Sequence, residues 1–446
     1  REDVRWCGNE AGGTRSTEWN VIPYQANPDT MSNFADMTDK DLGSREQLYK
    51  AKYLHYQQAE TNTSIREGWF YRDDTHQKVR STDDVFDIYE RAVGGNSTFL
   101  LNIPPNRDGK FSPTDVAVLK ETGQRIRETY GTDLFRQAKG PKEVLDQNAD
   151  TYVTADKDGA GIVISTPRPV TLNRLVLQEA IATNGERVER HAVDAWIDGG
   201  WKEIAHATNI GYKRILRFPD VTTDKIRVRI LESRLTPAIC TISAHHYKAR
   251  PPRLSAQRSM DGLVTIEPMA QEFGWKAHGE NIAENLNAGF KIYYTTDGTE
   301  PSAGSTEYKA PFLMGNSELK AVAILNGEKG AILQERFGLV KKGWKIADKT
   351  AQSLAIDLGS QQTVSGFAFT PQKQGGKGTV AGIIRISNDG KNWKEVERFE
   401  FGNLINDPSK RYHHFKQTVK ARYVQVEAAE IAAHTEAAAL AGIDIF

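Results

Sequence analysis

In the stretch VRWCGNEAGGTRSTEW, Val4 to Trp19, a carboxylate at Glu10 follows a β-branched and aromatic run that ends in an Asn-Glu-Ala-Gly-Gly turn. A side chain at the carboxyl end of a strand occupies the catalytic address of a parallel β/α fold. Cleaving a glycosidic bond takes two carboxyl groups, one that protonates the leaving oxygen and one that attacks carbon or activates water. Glu10 has the chemistry for the first. Tryptophans on either side, Trp6 and Trp19, would desolvate the carboxyl and favour its protonated form, and a sugar's apolar face stacks on such rings. Judged on pattern alone, a strand-end glutamate is more often a surface ion pair or a helix cap.

The elements around Glu10 alternate strand and helix through the first 131 residues. The opening run reads as a strand, Asn62 to Tyr71 (NTSIREGWFY) as a second, and Ser81 to Val93 as a helix with Ser81 at its N-cap and Val85, Ile88, Tyr89 and Val93 on one face. Gly94-Gly95 ends that helix. Thr98 to Ile103 (TFLLNI) is a near-continuous apolar run stopped by Pro104-Pro105, the pattern of a strand buried on both faces and paired in parallel. The next helix carries Ser112 as N-cap, Pro113 at its first position, Asp115 in its first turn, Val116, Leu119 and Ile126 inward, and Gly131 past its end. These amount to about three β/α units, whereas a closed barrel needs eight. A barrel reading therefore expects about five further units upstream of Arg1.

From about Phe135 the pattern changes to short alternating strands broken by turn residues. Gly161–Ser165, Thr171–Gln178, Ala192–Ile197, Asp224–Ile230 and Cys240–His246 fit one β-sandwich. The stretch DGGWKEI from Asp198 is echoed by DGKNWKEV from Asp389, and KIRVRI from Lys225 by KARYVQV from Lys420, at offsets of 192 residues from Trp201 to Trp393 and 195 from Lys225 to Lys420. That near-constant spacing reads as a domain duplication. Between the copies, KIYYTT precedes Asp297-Gly298, a hairpin signal, and LKAVAIL (Leu319 to Leu325) supplies a later strand of a third, smaller β-domain.

Composition bounds the rest. Lys plus Arg and Asp plus Glu each number 58 in 446 residues, and no long run of one sign offers a nucleic-acid footprint. Hydrophobic residues at 39% and charged residues at 26% describe a globular chain, and no window approaches the roughly 18 consecutive apolar residues of a membrane span. Cys7 and Cys240 lie far apart and are not expected to form a disulfide. His55, His76, His191, His245 and His246 show no zinc spacing. Asn106-Arg107-Asp108-Gly109 lacks the alternating acidic ligands of a calcium loop and reads as a turn.

Three segments, VRWCGNEAGGTRSTEW, SIREGWFYR (Ser64 to Arg72) and VGGNSTFLLNIPPNRDGKFSPTDVAVL (Val93 to Leu119), closely resemble the second half of the catalytic domain of the α-L-fucosidases of glycoside hydrolase family 29. They occur in the family's order. The resemblance implies the C-terminal part of a (β/α)8-like barrel at 1–134 and retaining hydrolysis, with Glu10, the Glu of the RWxGNE motif, as general acid/base. The family's nucleophile is an Asp in a W-x-D-G-A-like context. No such motif occurs in this sequence, so the N-terminal part of the same enzyme is expected to supply it, and the chain alone is expected to be inactive. Residues 135–248 and 341–446 resemble discoidin-type, galactose-binding-like jelly rolls, and 249–340 resembles the small β-domain of chitobiase-like hydrolases.

The resemblance also sorts the remaining site residues. Trp69, in the GWFY block, would form an apolar wall against the C5 methyl of fucose. Arg5 and Trp19 would shape the pocket, or else Arg5 pairs with Glu2 or Asp3 and Trp19 packs under the loop. Asn102 would hold a backbone turn or a sugar hydroxyl. Trp201 and Trp393 read as core aromatics and receive no ligand. The GNEAGGTRSTEW form of the block looks closest to the branch that removes α-1,3/1,4-linked fucose from Lewis-type glycans. The expected partner is a fucosylated oligosaccharide, with no nucleic acid and no cofactor required, structural calcium being unreadable. Bacterial enzymes of this build are typically exported, which implies periplasm or cell surface. The competing readings are a non-catalytic carbohydrate-binding protein, a fucosidase of broad specificity, or a hydrolase for another deoxy-sugar.

Overall fold

The computed structural model of the chain describes residues 4–24, 37–66, 68–71, 79–154, 161–268, 289–370, 378–401, 410–432 and 442–446. Glu2, Asp3 and His76 lie outside them. Two compact units result, Arg1–Ala249 in the first and Arg250–Trp275 with Asn287–Phe446 in the second.

The first unit opens with β1 (Val4–Trp6), β2 (Val21–Tyr24), α1 (Arg45–Lys50), β3 (Tyr53–Tyr56), β4 (Gln58–Ser64), α2 (Thr82–Val93), β5 (Thr98–Asn102) and α3 (Pro113–Tyr130). The strands β1, β4 and β5 form a parallel sheet in that order, in register from Val4 opposite Gln58 to Ser64 opposite Asn102. All three therefore end at the same edge. The short antiparallel hairpin β2–β3, which the sequence pattern did not announce, sits between β1 and β4 in the chain. The expected strand over 62–71 is displaced: pairing covers Gln58–Ser64, and the chain leaves the sheet at Ile65. Its polar-apolar alternation (Ala59, Thr61 and Thr63 buried) lies upstream of the aromatic run that suggested a strand.

Helix α2 keeps its predicted cap and half of its predicted face: Val85 and Ile88 are buried, whereas Tyr89 and Val93 are half-buried and Phe86 and Ala92 take their place. The Ser81 hydroxyl accepts from the Asp84 N–H. Helix α3 departs further. Its buried positions are Asp115, Thr122, Arg125 and Thr129, while Val116, Leu119 and Ile126 are only half-buried. The physical reason is a set of buried ion pairs: Arg66, directly after β4, donates to Asp115 at 2.9 Å, and Arg125 pairs with Asp83 of α2. Strand β5 is also more open than its apolar run implied: Leu100 is 41% exposed, and none of its five positions is fully buried.

A six-stranded antiparallel sandwich completes the unit: β6 (Val153–Thr154), β7 (Ile162–Glu179), β8 (Val188–Ile197), β9 (Gly200–Ala207), β10 (Arg214–Ser233) and β11 (Ala238–His245), paired in the order β6-β11-β7-β10-β8-β9. Its core is aliphatic, built on Ile164, Leu172, Leu175, Leu177, Val193, Val228 and Ile242 with Phe135 and Phe218. Cys7 and Cys240 are both buried and unbridged.

In the second unit, Ser353–Phe369 pairs with Arg411–Ala432, that strand with Gly378–Ser387, and that in turn with Lys394–Glu400, while Ile443–Ile445 flanks Ser353–Phe369. The same pairing order runs through β7, β10, β8 and β9 with β11 flanking β7, so the duplication read from the DGxW echoes recurs as topology. Smaller sheets built on Leu254–Arg258 with Leu263–Pro268 and on Lys291–Thr295 with Ser317–Leu325 carry their own core around Leu319, Ala321 and Phe337. Trp201 and Trp393 are half-buried rather than core: Trp201 meets Trp196 edge-on under the Arg227 guanidinium, and Trp393 meets Tyr423 edge-on.

Candidate active site

Because β1, β4 and β5 run parallel, the loops that follow them gather at one edge of the sheet, and three of the five predicted site residues lie there: Glu10 after β1, Trp69 after β4, and Asn102 at the end of β5. The β1 loop is built by its own residues. Asn9 Oδ1 accepts from the N–H groups of Ala11 (3.1 Å) and Gly13 (3.0 Å), and Asn9 Nδ2 donates to the Gly13 carbonyl (3.0 Å). Trp6 Nε1 donates to the Asn9 carbonyl (3.0 Å) and to Asn62 Oδ1 (3.2 Å), which ties the loop to β4. Gly12 N–H donates to the Asn62 carbonyl at 3.0 Å. Gly12 has φ +80° and faces Ile88 of α2 so closely that a Cβ would lie 3.2 Å from its side chain. Only glycine meets both demands without strain.

The Glu10 carboxylate projects from this clamped turn into solvent. The expectation that Trp6 and Trp19 desolvate it does not hold in this chain. Trp6 is 43% exposed and spends its N–H beneath the loop, and Trp19 is buried elsewhere.

Arg5 and Trp19 find partners that neither expectation named, and Glu2 and Asp3 lie outside the described residues. Arg5 is buried, its guanidinium paired with Glu18 and donating to the Trp19 carbonyl at 2.6 Å. Trp19 lies with the Arg234 guanidinium 3.7 Å above its ring. Asn102 resolves to the backbone role: its Nδ2 donates to the Trp69 carbonyl (2.8 Å) and to Ser64 Oγ (3.1 Å), so it fixes the turn that presents the half-buried Trp69.

Glu18 is the residue that pattern reading passed over. It is fully buried and receives Arg5 together with Arg15, whose Nη1 reaches both carboxylate oxygens at 3.1 Å. Its signal was the RSTE spacing, which puts Arg15 and Glu18 three apart. Beside it, burial first and the Glu18 charge second push the Cys7 thiol up to about 11, so Cys7 is a packed thiol and no nucleophile at neutral pH.

A chain of charged side chains reaches this loop from the sandwich. Arg217 of β10 donates to Asp87 of α2 (2.7 Å) and approaches Glu90 (3.4 Å), and Arg174 of β7 pairs with Glu90 at 2.6 Å. Arg91, one turn on from Asp87, donates to its other oxygen (2.7 Å) and to the Gly12 carbonyl (3.2 Å). Burial would raise the Asp87 carboxyl, but the Arg217 and Arg91 guanidiniums outweigh it and hold the group below its ordinary value. Further along, Asn96, in the left-handed conformation at φ 67°, donates to the Glu18 carbonyl (2.8 Å) and Glu186 (2.7 Å) and accepts from Tyr212 N–H (2.7 Å). Among the described residues no group of three His, Cys, Asp or Glu side chains is placed to hold a metal ion, and no helix is long and apolar enough to cross a membrane.

Comparison with known proteins bears on this geometry directly. Residues 14–130 match the alpha-L-fucosidase family, residues 314–442 the F5/8 type C domain, and residues 282–337 the domain described as Fn3 associated. Alpha-L-fucosidase 1 from Arabidopsis thaliana is 29% identical over 260 residues, which is 53% of this chain and 48% of the relative. A candidate alpha-L-fucosidase 1 from Oryza sativa subsp. japonica is 28% identical over 53% of this chain and 47% of its own length. The crystal structure of a candidate alpha-L-fucosidase from Bacteroides ovatus aligns over all of this chain and 62% of the other, at 29% identity and a TM-score of 0.50. The chain spans about half the length of the curated relatives it matches. The resemblance read from the three motif blocks is thus matched by the comparisons: the N-terminal segment is similar to alpha-L-fucosidases, and residues 314–442 match the discoidin-like F5/8 type C domain.

Proposed function

We propose that the chain is part of a retaining α-L-fucosidase in which Glu10 is the general acid/base. The observation that carries this reading is the clamped RWxGNE turn: Asn9, Trp6 and Gly12 fix the backbone on both sides of a carboxylate that ends free in solvent at the carboxyl edge of a parallel sheet. In the first step the protonated Glu10 gives its proton to the glycosidic oxygen as an Asp carboxylate attacks the anomeric carbon. The C–O bond breaks, the aglycone leaves as an alcohol, and fucose is held as an ester. In the second step Glu10, now a carboxylate, takes a proton from water as that water attacks the anomeric carbon and releases the Asp. The attacking Asp belongs to a family motif that these 446 residues do not contain, and it would stand about 5–5.5 Å from Glu10.

In this reading β1, β4 and β5 belong to a (β/α)8-like barrel, Trp69 offers its face to the C5 methyl of fucose, and Asn102 holds Trp69 in place. The middle β-domain is chitobiase-like, the segments 1–134, 135–248, 249–340 and 341–446 are the evolutionary modules, and the enzyme is exported. The GNEAGGTRSTEW block favours α-1,3/1,4-linked fucose on Lewis-type glycans. The test has two arms in the full-length protein. Glu10→Gln is expected to lower kcat/KM for a poorly activated fucoside by about 10²–10⁴-fold while sparing kcat/KM for a dinitrophenyl fucoside, whose leaving group needs no proton; kcat on the latter still falls, because the second step keeps its need for the base. Equal losses on both would remove Glu10 from the role. Preference of the wild type for 4-nitrophenyl fucoside over Lewis a or Lewis x trisaccharide would replace the linkage assignment by broad specificity.

A further inference from the structure

The charges between the sandwich and α2, from the buried Arg217 through the partly exposed Asp87 to Arg91, form a continuous path that ends two residues from Glu10. Arg217 of β10 holds one oxygen of Asp87, Arg91 holds the other, and the same Arg91 guanidinium donates to the Gly12 carbonyl. Gly12 rests against Ile88, on the same face of α2. Arg174 grips the neighbouring Glu90 with two nitrogens at 2.6 and 3.1 Å, and Tyr130 of α3 donates to Glu90 at 2.6 Å, so the turn of α2 that carries Asp87 and Arg91 is anchored from the sandwich side. The side chains of Arg217, Arg174 and Glu90 are almost wholly out of water. In such surroundings a guanidinium–carboxylate pair is directional, and loss of one partner leaves the other charge unsatisfied.

We propose that Arg217 of the first sandwich is a positioning residue for the acid/base: acting through Asp87 and Arg91, it sets the Gly12 carbonyl and with it the aim of Glu10. The proposal rests on the reading of Glu10 given above and adds to it a role for a domain whose strands carry no reacting group. Without Arg217, Asp87 is held only by Arg91, whose guanidinium is then free to turn toward it and away from Gly12. The turn keeps its Asn9 lock but loses its tie to the helix. A displacement of an ångström in a catalytic group costs rate without unfolding anything.

The test uses the full-length protein and two fucosides, one poorly activated and one carrying a dinitrophenyl leaving group. Arg217→Met is expected to lower kcat/KM on the poorly activated substrate by about 10- to 100-fold and kcat/KM on the activated one, whose departure needs no proton, by less than about 3-fold. Arg217→Lys, which keeps the charge, should recover part of the loss, and Arg91→Met should reproduce it. Arg91→Met leaves the sandwich contacts untouched and so carries the test if Arg217→Met fails to fold. Glu10→Gln run beside them separates the two claims. If it discriminates between the substrates and neither arginine variant does, the positioning role is wrong and the acid/base reading stands. If Glu10→Gln does not discriminate, the underlying reading falls. Equal losses on both substrates in Arg91→Met would reduce this path to ordinary packing.

Discussion

The two sandwiches share a pairing order but differ in where they spend their buried charge. In the first, Arg174 and Arg217 reach Glu90 and Asp87, Glu186 accepts from Asn20 and Asn96, and Asn209 donates to the Glu18 carbonyl, all partners outside the sandwich, in the segment that carries Glu10. In the second, the buried Lys341 pairs with Asp444 at 2.9 Å, and Lys410 is shared between Asp444 and Glu335 of the middle β-domain, both at 2.8 Å. The first sandwich is tied by several buried side chains to the segment that carries Glu10, whereas the second is tied by Lys410 and Tyr412 to Glu335 of the middle β-domain. Sequence similarity between copies is blind to this distinction, because the core positions that make both sandwiches fold are apolar and interchangeable, whereas the outward-facing arginines decide what each is attached to.

The comparison can be broken at several points. Arg174→Met leaves the Glu90 carboxylate buried without its main partner, and is expected to cost the first unit about 3–5 kcal/mol in denaturant unfolding while leaving the second unit's transition in place. The mirror experiment is Phe367→Ala, which opens a cavity in a core shared with Phe399 and Phe401. A loss of about 3–5 kcal/mol confined to the second unit is expected. If either substitution moved both transitions together, the separation of the two sandwiches would be wrong.

A smaller effect sharpens the contrast through pH. Burial raises the Glu179 carboxyl of β7 from 4.5 to about 7, against the N–H groups of Arg187, Val188 and Gly211, which it accepts at 2.8–3.0 Å. A folded-state value above the unfolded one means that stability is fully present below pH 4.5 and drains away as pH rises toward 7. Glu179→Gln removes that dependence, so the stability difference between variant and wild type should widen by about 3 kcal/mol in the variant's favour across that window, measured by unfolding at pH 4.5 and 7. A difference that stays constant with pH would show that the carboxyl is ionised when folded. Smallest of all, Ser81→Ala removes the α2 cap that accepts from Asp84 N–H and should cost about 1 kcal/mol, again in the first unit only.

Much of this was legible in the chain before folding. Ser81 and the i, i+3, i+4 apolar face of α2 fixed that helix because both signals are local, and the DGxW echoes marked the duplication because turn chemistry is local too. Glu10 and its loop were readable from a motif. The misreadings share one cause. Val116, Leu119 and Ile126 were expected inward, yet Asp115 and Arg125 hold the buried face of α3, because buried ion pairs with Arg66 and Asp83 outrank an apolar stripe and involve partners about 40 to 50 positions away in sequence. Trp19 and Arg5 were drawn toward the pocket by their nearness to Glu10 in the chain, and were claimed instead by Arg234 and Glu18. Pattern reading has no access to a guanidinium that arrives from 200 residues downstream.

Glu10 as proton donor and acceptor is tested most directly by removing its carboxyl and offering a small nucleophile in its place. With Glu10→Ala in the full-length protein and dinitrophenyl fucoside as substrate, azide should raise turnover and yield fucosyl azide of retained configuration, because the anion attacks the glycosyl-enzyme from the face that Glu10 and its water occupy. Turnover indifferent to azide, with fucose as the sole product, would contradict the account.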